Sequence, residues 1–514
     1  MISRRPTPAH YQAVGRTGAT ALTWAKGAPR LQATLYHGRV RRGRAASPLY
    51  SAERHLIEHL PTITTEIKPP TPTPEASRPN WRRPGLTGLV GLLLLAPLGL
   101  DLWFINAYGV NVPFADSWNG TLPFVKEYVT GHLQLAQLWA PHNENRMLFP
   151  NLILALVDSH DRVNSVVDMY LTAAIMAASL TLLLWLARRS SRIPLVWLLP
   201  VPFIFFSLAQ VGNLLWAFQL AWMLILLCVM LALHGLESSP RHRSLFLLAG
   251  VAAVVASFSS LQGLLVWPAG LVYGAGRGLS RVQLALWCGI GVVSTAVYAW
   301  HLGNVNTVSS PNYAVMHPDL ALRYFLRLLG DLVPGEHTVA GLLLLAASAA
   351  VGWFWYRRKV SLVRLRLPLA LWLSGILFDL LVTVGRLELN VPDSSRYTTY
   401  NLILLIGLYL GAVAVLDPPR RWRDLGQALR SRPAEAAVSA LVLALVIVQV
   451  AWSVPNGIHQ GQLHRASRQQ GAQLLLHYQS VPDSTLAASL YPPSGAYVKV
   501  WAKWLQSEHW SVFS

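Results

Sequence analysis

Cysteine and charge are both scarce in this chain of 514 residues. Its two cysteines, Cys228 and Cys288, lie inside apolar runs, which excludes a disulfide framework and a cysteine-based metal or redox motif. Charged residues make up only 13% of the chain, against about 25% in soluble domains. Hydrophobic residues make up 53%. This composition is typical of an integral membrane protein.

Acidic residues are also few, with 23 Asp and Glu against 42 Lys and Arg, and the formal net charge is +19. Such an excess can indicate nucleic-acid binding, but here the basic residues are distributed among loops rather than along one face. We therefore expect no nucleic-acid partner. The twenty tryptophans also fit a membrane protein, because indole rings favour the membrane interface.

Residues 1–84 differ from the rest of the chain, since they are rich in Arg, Pro, Thr and Ala and contain little that could form a core. We predict that they form a disordered basic tail on the cytoplasmic side of the membrane. Two alternatives stay open. An organelle transit peptide is also rich in Arg and poor in acids, and an upstream start codon would add residues without a function.

Apolar runs near 20 residues predict membrane-spanning helices, because that length of helix crosses the hydrocarbon core. About eleven such runs lie at residues 85–108, 163–186, 193–209, 214–236, 244–259, 261–276, 282–302, 338–356, 366–384, 398–416 and 434–454. We therefore predict an all-α polytopic membrane protein with a transmembrane domain over residues 85–454.

Lys and Arg occur in every second loop of this arrangement. The basic segments are 82–83, 188–192, 241–243, 277–281, 357–366 and 420–432. Because short cytoplasmic loops carry the excess of Lys and Arg, these segments are predicted to be cytoplasmic. The chain then begins in the cytoplasm, and a small segment over residues 455–514 is extracytoplasmic. A multi-pass protein of a bacterial plasma membrane fits this pattern.

Most of the unusual polar residues fall in the loops on the other face. The first of these loops, residues 111–162, contains "ADSWNG" and "HNENR". Two stretches of this loop, 121–131 and 147–157, have apolar residues at helical spacing and are predicted to lie in the interface plane. Polar groups near a bilayer are costly, so their gathering at one face indicates a functional cavity.

Asp116 is the main catalytic candidate, because a carboxylate there can act as a general base. The alternative is a loop aspartate that caps a turn. His142 and Glu144 are further catalytic candidates, and Arg146 is a fixed cation for a phosphate. His142 and Glu144 alone do not make a metal-binding motif. A salt-bridged loop anchor is the alternative for Glu144 and Arg146.

Arg386 and Arg396 flank the last outer loop, where the topology rule disfavours them. Guanidinium groups bind phosphate in a bidentate manner, so a lipid-linked phosphate explains them, with Tyr397 beside it. Ion pairing with Glu388 and Asp393 is the alternative.

Amide and indole side chains in the outer loops are candidates for contacts with a sugar or acceptor, through hydrogen bonds and ring stacking. Hydrogen bonding between helices is the alternative for each of them. These candidates are Trp118, Asn143, Gln210, Asn213, Trp216, Gln219, Gln262 and Trp267.

At these residues the chain resembles polytopic GT-C type glycosyltransferases, which place an acidic residue in the first extracytoplasmic loop between interfacial helices. It is similar to a group of bacterial membrane proteins that share several short patterns. Here these patterns read DSW at 116–118, HNENR at 142–146, NLLWAFQ at 213–219, FSSLQG at 258–263, and GR at 385–386 with SRY at 395–397. The resemblance covers residues 85–417.

The resemblance implies transfer of a sugar from a polyprenyl-phosphate donor to a saccharide, lipid or protein acceptor at the extracytoplasmic face. It implies that Asp116 deprotonates the acceptor hydroxyl, while Arg386 or Arg396 faces the departing phosphate. Many GT-C enzymes have paired acidic residues where this chain has Asp116 and Ser117. We therefore predict no cofactor and no bound metal, with a divalent cation as an open option.

Two other functions stay open. The first is a polymerase or ligase of a lipid-linked polysaccharide, which would use the same outer face. The second is a transporter or flippase of a lipid-linked saccharide, without catalysis. Asp379, an acid within a predicted span, is the feature that favours transport.

Overall fold

The computed structural model describes residues 84–191, 193–302, 310–419 and 424–514. Helices are the only regular structure in these ranges, which confirms the all-α prediction. In chain order, helices α1 to α21 span Pro84–Tyr108, Ser117–Gly120, Leu122–Val129, Leu135–Trp139, Leu148–Asp161, Ser165–Ser190, Pro200–Phe205, Val211–Leu214, Leu220–Ser238, Arg243–Ser257, Val266–Arg277, Arg281–Ala299, Pro311–Met316, Pro318–Gly330, His337–Arg357, Leu362–Arg386, Thr398–Leu416, Leu425–Ser431, Pro433–Leu476, Asp483–Ser489 and Gly495–Glu508. Short 3-10 helices lie at Leu195–Leu198, Leu208–Gln210, Ala217–Gln219, Leu261–Leu265, Leu387–Leu389 and Ser511–Phe513.

Some predicted features lie outside the described residues. They are the basic tail up to residue 83, the basic positions Arg192, Arg420, Arg421 and Arg423, and residues 303–309 of the fourth outer loop. The prediction of a disordered tail therefore stays a prediction.

Nine helical segments in the described part of the chain are long and apolar enough to cross a membrane. They are Leu89–Tyr108, Ser165–Ser190, Leu195–Leu214, Ala217–Ser238, Arg281–Ala299, His337–Arg357, Leu362–Leu389, Thr398–Leu416 and Pro433–Leu476. The chain is thus a multi-pass membrane protein by the length and composition of its helices.

The count of eleven spans is not confirmed. The predicted spans 244–259 and 261–276 correspond to α10, which has 15 residues, and α11, which has 12. At about 1.5 Å per residue neither helix reaches the roughly 30 Å of the hydrocarbon core. The two form a helical hairpin, and its tip is the turn that contains Ser260.

Helix α17 is the centre of the bundle, because every one of its residues is buried. It packs against α16 along its length and also against α7, α15 and α19. A fully buried helix needs no polar face, and the run Leu402–Leu416 is accordingly almost free of polar residues.

Charged residues gather at one end of the bundle. Glu237, at the end of α9, lies 2.8 Å from Arg366, 3.4 Å from Arg277 and 3.9 Å from Arg189. These arginines belong to the segments that were predicted to be cytoplasmic. Tyr273 also donates a hydrogen bond to Glu237. A buried carboxylate is therefore neutralised where helices α6, α9, α11 and α16 meet.

The first outer loop contains helices α2 to α5, of which the apolar spacing predicts α3 and α5. Leu122 and Val125 of α3 are fully buried, whereas Tyr128 and Val129 are exposed. Gly131, which follows α3, has a φ angle of 74°, a conformation that favours glycine. Whether α3 and α5 lie in the interface plane stays a prediction.

The C-terminal segment returns to this outer loop. Helix α19 has 44 residues and continues well beyond the predicted span at 434–454. Helices α20 and α21 then fold back, and their buried side chains form one apolar cluster with Trp118, Leu122 and Val125 of the first loop. We call residues 477–514 the C-terminal cap.

Candidate functional site

A cavity of about 420 Å³ lies at the end of the bundle opposite the Glu237 cluster. Helix α9 illustrates this, because Trp222 near its start lines the cavity and Glu237 lies at its other end. Several segments that are distant in sequence form the walls. Nine residues predicted from the sequence line it, namely Asp116, His142, Asn143, Glu144, Gln219, Gln262, Arg386, Arg396 and Tyr397.

Asp116 and His142 form the acidic and imidazole side of the cavity. His142 Nε2 lies 3.8 Å from Asp116 Oδ1, and about a third of the Asp116 side chain is exposed. Asp116 follows Ala115, whose φ angle of 47° is unusual for a residue with a Cβ atom. The Ala115 N–H donates to the Leu490 carbonyl at 2.8 Å, so the C-terminal cap holds the backbone beside Asp116.

His142 is held by a tight turn. Its N–H donates to the Asn145 carbonyl, and the Asn145 N–H donates to the His142 carbonyl. The imidazole ring packs against Phe218, with ring centroids 5.4 Å apart. The ring is therefore fixed from its backbone and from one face, and its Nε2 atom is directed to Asp116.

Glu144 forms an ion pair with Arg386, across 242 residues of sequence. Both side chains are largely buried, so the pair joins the first outer loop to the end of α16. The loop-anchor interpretation of Glu144 thus has a physical basis, although its partner is Arg386 rather than Arg146. The charge of Arg386 is already balanced before any ligand binds.

Arg396 differs from Arg386 in its electrostatic surroundings. Among the described residues no carboxylate lies within ion-pair distance of it, and its buried Nε atom has no hydrogen-bond partner. The guanidinium carbon lies 5.9 Å from the ring centroid of Trp216 and 5.2 Å from that of Tyr397. Aromatic faces stabilise the cation without neutralising it. An unpaired cation in a cavity is suited to bind an anion.

The acids of the last outer loop have other partners. Glu388 accepts a hydrogen bond from the Ser310 N–H at 2.8 Å. Asp393 pairs with Arg327 at 2.5 Å and with His337 at 3.1 Å. Neither acid is thus the partner of Arg396 that the ion-pairing alternative requires.

Arg146 lies outside the cavity wall and is almost completely buried. Its guanidinium donates to the carbonyl oxygens of Tyr298, Trp139 and Trp300, and it lies over the Trp139 ring. These contacts fasten the HNENR turn to the end of α12. A phosphate would have to displace them to reach this side chain.

Gln210 and Asn213 support the cavity from behind. The Asn213 amide donates to the Arg396 carbonyl at 2.8 Å and to Thr399 Oγ1 at 2.6 Å. Thr399 in turn donates to Gln210, whose own amide donates to the Phe205 carbonyl. This buried series of hydrogen bonds fixes the backbone of Arg396. The side chain of Arg396 is therefore attached to a rigid backbone.

All three predicted indoles also lie outside the cavity wall. Trp216 donates to the Phe114 carbonyl, and Trp267 donates to Ser257 Oγ at the start of the turn beside the cavity. Trp118 is completely buried in the apolar cluster shared with the C-terminal cap. Contacts of these three residues with a sugar stay a prediction.

Several lining residues were not singled out from the sequence. Asn145 Oδ1 accepts hydrogen bonds from Ser260 Oγ at 2.6 Å and from the Leu261 N–H at 3.1 Å, which joins the first loop to the hairpin tip. Trp222 and Phe378 form an aromatic wall with ring centroids 5.5 Å apart. Asn145 lies within the HNENR pattern, whereas the two aromatic residues lie inside apolar spans that look like ordinary core.

Among the described residues, metal-ligating side chains do not converge in this cavity. In the described part of the chain, two groups of His, Asp or Glu are close enough to share an ion, and both lie elsewhere: Asp331, His337 and Asp393, and Asp158, Asp161 and Asp168. The cavity therefore offers a carboxylate beside an imidazole, one neutralised arginine and one free arginine.

No protein-family model, curated protein or solved structure matches this chain.

Proposed function

We propose that the chain is a GT-C type membrane glycosyltransferase that moves a sugar from a polyprenyl-phosphate donor to an acceptor at the extracytoplasmic face. The observation that carries the proposal is a single cavity that contains Asp116 beside His142 together with Arg396, a cation without a carboxylate partner among the described residues. Transfer from a phosphate-linked donor needs a base and a cation in one site.

The chemistry follows from these groups. Asp116 accepts the proton of the acceptor hydroxyl while that oxygen forms a bond to the anomeric carbon. The bond between the anomeric carbon and the phosphate oxygen breaks, and its electron pair leaves with the polyprenyl phosphate. Arg396 stabilises the charge that develops on the phosphate. Displacement from the face opposite the phosphate inverts the anomeric carbon.

His142 and Arg386 position these groups. His142 Nε2 lies 3.8 Å from Asp116 Oδ1, so the fixed imidazole ring limits the positions open to that carboxylate. Arg386 is held by Glu144, and a bound phosphate could share it only by weakening that ion pair. We therefore assign the phosphate primarily to Arg396, with Tyr397 packed beside it.

The apolar part of the cavity suits a lipid-linked donor. Leu302, Leu381, Val384 and Leu389 line it beside Arg386. Val384 and Leu389 are each about 40% exposed, at 41% and 40%, on the outside of the bundle. The first isoprene units of a donor can contact these side chains while its phosphate reaches the arginines, and no nucleotide-binding motif is needed.

We also infer that the cavity faces the extracytoplasmic side, with the C-terminal cap outside the cell. The support is that the arginines of three predicted cytoplasmic segments meet at Glu237, at the opposite end of the bundle. In a chain without its native cysteines, Ser480→Cys should react with a membrane-impermeant maleimide in intact cells. Ser431→Cys should react only after lysis, and the reverse pattern would contradict this orientation.

The first test is transfer of labelled sugar from polyprenyl-phosphate donors by purified protein in detergent. Asp116→Asn should lose most of the transfer, by about a hundredfold or more, because a general base contributes at least that factor. Arg396→Met should weaken donor binding as well as transfer. Binding of the donor should survive in Asp116→Asn, since that group acts on the acceptor.

Asp319→Asn and Arg323→Met are the matched controls. Both residues are exposed on α14, have no ion pair among the described residues and lie outside the cavity. They should transfer sugar at the wild-type rate. Wild-type rates in Asp116→Asn, with the protein folded, would remove Asp116 from the mechanism. Product length separates single-sugar transfer from polymerisation.

One observation favours the transport alternative. Asp379 lies within α16, is completely buried, and neither of its carboxylate oxygens has a partner among the described residues. An acid in such a position is a common feature of proton or ion pathways. Flipping of a labelled lipid-linked saccharide in liposomes, lost in Asp379→Asn and without sugar transfer, would favour this function instead.

A further inference from the structure

A group of three carboxylates lies between the first outer loop and the bundle, outside the cavity. Asp158 and Asp161 belong to the last turn of α5, and Asp168 belongs to the first turn of α6. Each residue offers one oxygen atom, and these atoms all lie within 4.8 Å of one another. Asp158 is 1% exposed and Asp168 is 3% exposed.

Ion pairs within the described residues do not balance the charge of this group. None of the three aspartates forms an ion pair with Lys, Arg or His in that part of the chain, and each has one buried oxygen without a hydrogen-bond partner. Three carboxylates so close together, two of them buried and the third half-buried, repel one another strongly. A bound cation or retained protons must therefore relieve the charge.

A small void borders two of the three carboxylates, those of Asp158 and Asp168. Its volume is about 10 Å³, close to the space that a single water molecule or ion occupies. The polar residues that line it are Asp158, Asp168, Ser117, Thr121 and Ser165, and apolar side chains complete its wall.

Thr121 points to a ligand independently of the acids. Its side chain lines the void and is 5% exposed, and its Oγ1 atom has no partner in the described structure. Although Thr121 precedes α3, its hydroxyl does not cap that helix. A buried hydroxyl without a partner is costly, and an ion in the void would satisfy it.

We propose that Asp158, Asp161 and Asp168 bind one calcium ion, with the Thr121 hydroxyl as a further ligand from the first outer loop. All of these ligands are oxygen atoms, which hard divalent cations prefer. Magnesium usually keeps several of its water molecules and requires octahedral geometry, and a void of about 10 Å³ leaves little room for them. Calcium accepts irregular sets of protein oxygens.

The ion would join three parts of the outer face. It would fix the junction of α5 and α6 against Thr121, five residues after Asp116 in the sequence. Calcium is thereby assigned a structural role, away from the reacting groups. The assignment does not depend on sugar transfer, because ion binding can be measured without a donor.

The competing state is retention of protons by the acids. Burial, and then the neighbouring Asp168 carboxylate, raise the pKa of Asp158 well above its usual range. In that state the void is filled by water, and calcium has no effect on the protein. The experiment must therefore distinguish a response to the ion from a response to pH.

The test uses the full chain in detergent, stripped with a chelator and titrated with calcium chloride at constant ionic strength and slightly alkaline pH. The melting temperature of the wild type should rise in a saturable manner, and magnesium chloride should have a much smaller effect. Asp158→Asn and Asp168→Asn should bind calcium about tenfold more weakly or worse. Radioactive calcium retained on the protein should follow the same order.

Melting temperatures of the variants without calcium provide a second measurement. Without calcium, Asp158→Asn should melt at or above the wild-type temperature, because one repelling charge is removed while the shape is kept. Asp319→Asn should respond to calcium like the wild type. The proposal is wrong if the wild type shows no saturable response, or if the two cluster variants keep the full response.

Discussion

Arg386 and Arg396 line the same cavity in different electrostatic surroundings. Glu144 balances the first. Among the described residues the second contacts the faces of Trp216 and Tyr397 and the Tyr397 hydroxyl, but no carboxylate. Arg396 is therefore the arginine available to an anionic group, whereas Arg386 already has a carboxylate partner. This difference depends on contacts between distant segments, and two arginines beside an outer loop do not reveal it.

The buried carboxyl of Asp331 predicts how the stability of the folded chain changes with pH. Burial raises the pKa of this carboxyl to about 6, although Thr398 donates a hydrogen bond to it and His337 lies 3.9 Å away. Between about pH 4 and pH 6 the folded chain then binds more protons here than the unfolded chain, so this group's contribution to stability falls as pH rises. Asp331→Asn cannot ionise and should not show that fall.

The measurement is the melting temperature of both proteins in detergent from pH 4 to pH 7. The stability of Asp331→Asn relative to the wild type should rise across this range, by on the order of 2 kcal/mol in total. A difference that stays constant with pH, or that falls, would contradict the raised pKa. Asp319→Asn should run parallel to the wild type.

Residue types and spacing predicted many of the residues that line the cavity. They did not predict which of these residues contact one another. The DSW, HNENR, GR and SRY patterns contribute Asp116, His142, Arg386 and Arg396 to one cavity wall, as the sequence predicts. An amide such as Gln210 looks the same in sequence whether it contacts a ligand or Thr399. The distinction lies in tertiary contacts, and no local spacing encodes these.

Helices α16 and α17 pack closely because glycines lie at their crossing. A Cβ atom on Gly375 would lie 2.5 Å from Leu404 Cβ and 2.8 Å from the Tyr400 carbonyl oxygen. A Cβ atom on Gly407 would lie 2.7 Å from the Trp372 nitrogen. Small residues let helix backbones approach in membranes, where lipid provides no hydrophobic force between helices.

Gly375→Val should therefore separate α16 from α17 and destabilise the bundle. Overpacking of this kind costs about 1 to 3 kcal/mol or more, so the melting temperature in detergent should fall by several degrees. Gly352→Val is the matched control, since an added Cβ atom there meets no other atom within 4 Å. Equal melting temperatures for the two variants would show that the contact is not close.

Long apolar runs correctly predicted long helices. The prediction that the two short runs of α10 and α11 are separate membrane spans is not confirmed. Most predicted spans lie within long helices, because hydropathy and length act within a single segment. The pair α10 and α11 is different, since each helix is short and the hairpin is held by α9 and α16. The extension of α19 beyond residue 454 also depends on tertiary contacts, because its outer half packs beside Phe104 and the C-terminal cap.

The C-terminal cap and the first outer loop pack together around one apolar cluster. Leu486, Leu490, Val498, Ala502 and Leu505 of the cap are completely buried, in a cluster that also contains Trp118 and Leu122. The Ser511 N–H donates to the Arg162 carbonyl at 2.8 Å. The segment that carries Asp116 is thus supported by the last residues of the chain.

Val498→Asp should release the cap, since it buries a charge in this cluster. The first outer loop should then be cleaved faster by protease in detergent, and any sugar transfer should fall with it. Val500→Asp is the matched control, because Val500 lies on the same helix α21 and is 67% exposed. Equal cleavage rates for the two variants would contradict the supporting role of the cap.

Helix α19 connects the bundle to the cap without a break over its 44 residues, a length of about 66 Å. The rotational setting of the cap is therefore coupled to the number of residues in the helix. One residue inserted in its outer half would turn the cap by about 100°, away from the loop that carries Asp116. Seven inserted residues would nearly restore the angle but lift the cap by about 10 Å. No insertion keeps both the rotation of the cap about the helix axis and its position along that axis. This part of the helix should therefore tolerate substitution far better than any change of length.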